Sequence, residues 1–113
     1  MSYELSRLEA VAEGDQDFIV KVLQVFVVEV SEDVKKMMQC FGYKDFVELS
    51  KLAHKIKPNL ILLGMDEATD SCLKIEKNKK APMPLEVLKS LLDHLEASVK
   101  EVVLELKLAY KLQ

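Results

Sequence analysis

Residues 18–30 read Phe18-Ile19-Val20-Lys21-Val22-Leu23-Gln24-Val25-Phe26-Val27-Val28-Glu29-Val30, and whether they form a strand or a helix decides the fold class. Taken alone, the β-branched and aromatic cluster Val25, Phe26, Val27, Val28 and Val30 favours a strand. The wider pattern favours a helix: Ile19, Leu23, Phe26, Val30 and Met37 recur at helical spacing for more than a dozen positions, and no turn residue flanks the valines. Nor does any other segment of the chain read as a strand for it to pair with. The stretch therefore predicts a helix that Asp15 caps and that runs to about Cys40, with Gly42 ending it. Val25 and Val28 fall outside its minimal stripe. We expect them to be buried against a second neighbour, the other choice being an apolar strip shown to a partner.

Outward from that segment, every other one also tests as helical. A short leading helix from about Ser2 to Ala12 carries Leu5, Leu8 and Ala12 and ends at Gly14. A third helix begins near Tyr43 or Lys44 and repeats Phe46, Leu49, Ala53, Ile56, Leu60 and Leu63, until Gly64 breaks it. A fourth, from about Asp66 to Asn78, turns Ala68, Cys72 and Ile75 inward. Lys77 to Pro84 is a basic, proline-containing connection, and Pro84 suits the first turn of the last helix. That helix keeps a seam of Leu85, Leu88, Leu92, Leu95, Val99, Val102, Leu106 and Ala109. At ~1.5 Å per residue it would be about 43 Å long, so its end is expected to overhang and could carry a partner or a second copy. Single apolar seams are stable only when buried together, which predicts an all-α, antiparallel up-down four-helix bundle with a short additional N-terminal helix, one domain over residues 1–113.

Composition narrows the function. The chain is 50% hydrophobic and 31% charged, which suits a folded, soluble domain. No apolar run approaches the ~20 residues needed to span a bilayer, and the start of the chain lacks a secretory pattern, so a cytoplasmic protein is expected. A net charge of -3 offers no global field for nucleic acid or anionic lipid. Cys40 and Cys72 fall in helices and read as small hydrophobes, not as a disulfide or metal site. The residues three before His54 and His94 are Lys51 and Leu91, which rules out the Glu-x-x-His pairs of a di-iron bundle. Ser71, Ser90 and Thr69 show no nucleophile arrangement, no phosphate-cradling glycine loop occurs, and His94 reads as structural.

His54 is different. It adjoins the seam residue Ala53, at the border between buried and wet, with Ser50 and Lys51 one turn before and Lys57 and Pro58 one turn after. Geometry alone favours a surface histidine among solvated lysines. Read together, Ala53-His54-Lys55-Ile56-Lys57-Pro58-Asn59, Gly64 and Glu76 resemble the signature of the histidine-containing phosphotransfer (HPt) domain family. In that family the phosphorylated histidine is followed by lysine three residues on, a small residue four on, glycine ten on and glutamate or glutamine twenty-two on. Lys57, Pro58, Gly64 and Glu76 stand at those places. The likeness extends upstream through Gly14, Asp15, Phe18 and Phe26 and covers most of residues 5 to 80.

The resemblance implies a phosphocarrier in a two-component phosphorelay, without ATP-dependent kinase activity of its own. His54 would be the phosphoacceptor, Lys57 would neutralise phosphoryl oxygens, and Glu76 would orient the imidazole through Nδ1. Partners would be response-regulator receiver domains and a sensor or hybrid histidine kinase, with magnesium on the receiver and no cofactor on this chain. Docking would use Val25, Val28, Lys51, Lys55, Pro58 and Ile61, and the chain is expected to be a monomer. Pro58 departs from the usual glycine, cannot donate to the His54 carbonyl, and should kink the helix there. The rival class is a helical interaction module that performs no phosphate chemistry.

Overall fold

The computed structural model describes residues 3–112, which are helical throughout, without a strand. Short α1 (Ser6–Ala12) leads into α2 (Gln16–Val25), a π-helical turn (Phe26–Val30) and α3 (Ser31–Tyr43), which together make one long rod. Then follow α4 (Phe46–Leu62), α5 (Asp66–Lys77) and α6 (Leu85–Tyr110). The rod packs on α4, α4 on α5, α5 on α6 and α6 back on the rod, closing a four-membered ring measuring 44 × 24 × 22 Å. The expected antiparallel bundle with its extra N-terminal helix is what forms; Ser2, part of the expected first helix, lies outside the described residues.

The interior is the set of seams. Ile19, Leu23, Phe26, Val30 and Met37 of the rod meet Leu49, Ala53, Ile56 and Leu60 of α4, Ala68, Cys72 and Ile75 of α5, and Leu88, Leu92, Leu95, Val99, Val102 and Leu106 of α6, all buried. Burying each leucine-sized side chain contributes about 1.5–3 kcal/mol, so the sum of seams, not any single helix, holds the ring closed. The last seam is exposed at its ends, Leu85 and Ala109. Its expected overhang is only partly free, because Leu106 is fully buried and Tyr110 and Leu112 pack against the core, while Leu104 and Leu108 face outward.

Three local expectations need correcting. The rod is not uniform α-helix: the valine cluster adopts a π turn, whose extra residue brings Val27 inward beside Phe26. Val25 and Val28 are 47% and 58% exposed, so of the two readings it is the exposed apolar strip, not burial against a second neighbour, that forms. Gly42 does not end α3; it lies within the last turn, and Lys44, at φ 59°, makes the left-handed cap. Pro58 sits inside α4, which continues to Leu62, so the missing amide does not terminate the helix.

Asp15 and Asp45 cap the rod and α4 as their side chains accept from the Phe18 and Glu48 amides. At the α4–α5 turn Gly64 has φ +64°, and the Glu4 amide donates to the Leu63 carbonyl at 2.8 Å, laying the N-terminal segment across the turn. A Cβ on Gly64 would stand 2.9 Å from the Glu4 carbonyl oxygen and 3.0 Å from its Cβ. Gly64→Ala is therefore expected to lose about 1–3 kcal/mol of stability in urea denaturation, from the left-handed backbone and the displaced strap together. An unchanged midpoint would show that the strap yields without cost.

Candidate functional site

The site is assembled across α4 and α5, whose relative register is fixed by buried contacts beneath it. The Cys72 thiol donates to the Ala53 carbonyl at 3.0 Å, and burial pushes that thiol up to about 12, which keeps it protonated and inert. Cys40, half-buried, is likewise raised by burial. One residue beyond Ala53, the backbone turns His54 out of the core, and its side chain is 72% exposed.

Glu76, on the last turn of α5, reaches His54 and Lys57 at once. One carboxylate oxygen, Oε2, pairs with His54 Nδ1, while the other, Oε1, accepts from Lys57 Nζ at 2.8 Å. Lys57 and Glu76 are both largely covered, with 22% and 21% of their side chains accessible. The Lys57 hydrogen bond holds the Glu76 carboxyl below its ordinary range; partial burial opposes this and His54 adds to it. Glu76 is thus a carboxylate at neutral pH, and a carboxylate can only accept. Nδ1 is then the donor in this pair, which in the neutral ring places the lone pair on Nε2.

The resemblance gives Lys57 the task of neutralising phosphoryl oxygens; here its ammonium also binds Glu76. The cause is spacing: one turn after His54, Lys57 projects toward the same α5 edge that carries Glu76. Lys55 is committed too. It pairs at 3.1 Å with Asp33, an acid buried in the rod between Val30 and Met37, and so braces α3 against α4 instead of adding to the field around the ring. Lys51 and Pro58 are exposed on α4, and Ile61, 41% exposed, gives its carbonyl to Arg7 Nη1 at 2.8 Å. Val28 lines a shallow depression with Gln24, Val27, Lys111 and Leu112, so it faces the end of α6, not α4. His94 faces a different depression, with Gly64, Asp66 and Glu101. Sequence reasoning missed Ser50 as a partner of α5: its hydroxyl donates to the Glu76 carbonyl at 2.7 Å. No group of metal-ligating side chains exists among the described residues, and none of their helices is long and apolar enough to cross a membrane.

The imidazole thus stands on open surface, held from behind by a carboxylate. Comparison with known families matches residues 21–102 to the Hpt domain, well over half of the chain, and the chain belongs to that family. Its members act in histidine phosphotransfer within phosphorelays, as carriers and not as kinases, together with receiver domains and kinases. No individual curated protein and no solved structure gives a significant match.

Because the Glu76 value is lowered on folding, its contribution to stability is fully present above the unfolded carboxylate value near ~4.3 and is lost as pH falls through the folded value. Followed by urea denaturation from pH 5 downward, the advantage of the native chain over Glu76→Gln is expected to start at about 1–2 kcal/mol and to decay toward zero in acid. An advantage unchanged down to pH 2 would contradict the ionised bridge.

Proposed function

We propose that this chain is a phosphocarrier in which Nε2 of His54 takes a phosphoryl group from the aspartyl phosphate of one receiver domain and delivers it to the aspartate of another. In the first transfer the Nε2 lone pair forms a bond to phosphorus as the acyl–phosphate P–O bond breaks, and the receiver recovers its carboxylate. The ring then carries positive charge, with its proton still on Nδ1. Glu76 stabilises that charge, so its attraction for the imidazole grows as the reaction proceeds. The second transfer reverses these steps on a different receiver.

The single observation that supports this reading is the pairing of an exposed His54 through Nδ1 to a Glu76 that Lys57 keeps ionised. It supplies what a phosphoacceptor requires: an unprotonated nitrogen, a fixed ring and an open approach. Lys57 has three N–H donors and uses one on Glu76, so another can turn to meet phosphoryl oxygens without release of the bridge. Magnesium would come with the receiver, where the acyl phosphate resides. Val25, Pro58 and Ile61, with Lys51 at the edge, would form the docking surface; Val28 and Lys55 are less suited to it because of where they point.

Incubation with a phosphorylated receiver should leave an acid-labile, base-stable phosphate on His54. His54→Gln should abolish the label. Lys57→Ala should slow its uptake roughly ten-fold, about 1.4 kcal/mol of barrier. Labelling of His54→Gln at the native rate would refute the assignment, and failure of the native chain to take label from any receiver would favour the interaction module.

A further inference from the structure

The last turn of a helix leaves carbonyls with no partner further along the chain. At the end of α5 two are met locally: Ile75 accepts from the Asn78 amide at 3.2 Å, and Lys77 from the Lys80 and Ala81 amides at 3.0 and 2.9 Å. Lys80, the residue whose amide would close a regular turn on Glu76, is thereby diverted to Lys77. The Glu76 carbonyl is met from another helix instead, by the Ser50 hydroxyl of α4 at 2.7 Å in a partly buried contact. Ser50 is one turn before His54 on the same helix. The hydroxyl that closes the end of α5 and the imidazole that Glu76 must hold are therefore set on one rigid element, four residues apart.

We propose that Ser50 is a positioning residue for the phosphoacceptor: by fixing the main chain of Glu76 it sets the distance and angle at which that carboxylate meets His54 Nδ1. This inference rests on the reading of His54 as the phosphoacceptor. Without the hydroxyl, the Glu76 carbonyl must find water, and the terminal turn of α5 loosens at the residue whose side chain fixes the tautomer. Lys57 cannot replace the tie, because it grips the carboxylate and moves with it, whereas Ser50 grips the backbone from which the carboxylate extends.

The test is the ring tautomer of His54, read from the 15N shifts of its two nitrogens in the full chain near neutral pH. Threonine and valine have the same shape and differ by the hydroxyl, so Ser50→Thr and Ser50→Val control for packing. The native chain and Ser50→Thr should show His54 with its proton on Nδ1. Ser50→Val and Ser50→Ala should show both tautomers exchanging, with several-fold more Nε2–H than the native chain, while thermal melts confirm a folded bundle. Native-like shifts in both Ser50→Val and Ser50→Ala, alongside a clear change in Glu76→Gln, would overturn the role of Ser50 and leave the phosphocarrier reading intact. That reading fails separately, if the native chain takes no phosphate on His54.

Discussion

One carboxylate ties the molecule's architecture to its chemistry. Glu76 has to meet an exposed imidazole on one oxygen and a largely covered ammonium on the other, and both belong to the neighbouring helix. Such a bridge forms only if α4 and α5 run side by side in one register. The register has its own devices: a left-handed Gly64 that turns the chain in the shortest space, a Cys72 thiol on the Ala53 carbonyl, and a Ser50 hydroxyl on the Glu76 carbonyl. A slip of one residue along either helix would carry Glu76 round by about 100° and out of reach of both partners.

Charge explains why the bridge uses a lysine as well as a histidine. A carboxylate facing an imidazole alone would favour a second proton on the ring, and a doubly protonated ring has no lone pair to offer. Lys57 answers the other oxygen of Glu76 and is the largest cause of its lowered value, so the charge of the carboxylate is met without a cationic ring. Elsewhere the same economy prevails. Asp33, almost entirely buried, is tolerated in the rod because Lys55 reaches it from α4, and this pair holds a second helix against the one that bears the histidine.

Much of this was legible before any coordinates. Seams such as Leu49-Ala53-Ile56-Leu60 and Leu88-Leu92-Leu95-Val99 follow from a period that only a buried helix face requires, and their residues are buried as expected. Glu76 and His54 could be paired only through a family likeness, because separation along a chain carries no information about which helix edges meet. What escaped depends on competition between neighbours. The commitment of Lys57 to Glu76, and of Lys55 to Asp33, is settled by which acid lies nearest across a helix interface. The π turn at Phe26–Val30 and the left-handed Lys44 are adjustments of one residue within otherwise regular helices, and Gly42 was the more obvious terminator. Val25 and Val28 could be read as buried or as an exposed strip, because apolar character alone does not say how many neighbours a helix has; both are exposed.

Nε2 is the reacting atom of the proposed transfer because Nδ1 is already engaged with Glu76, and that choice can be read directly. With ring-15N-labelled protein phosphorylated by a receiver, phosphorus–nitrogen coupling should appear on Nε2 of His54 alone, with Nδ1 still bearing its proton. Coupling on Nδ1, or phosphorus on any other side chain, would contradict the claim that Glu76 selects the nucleophile.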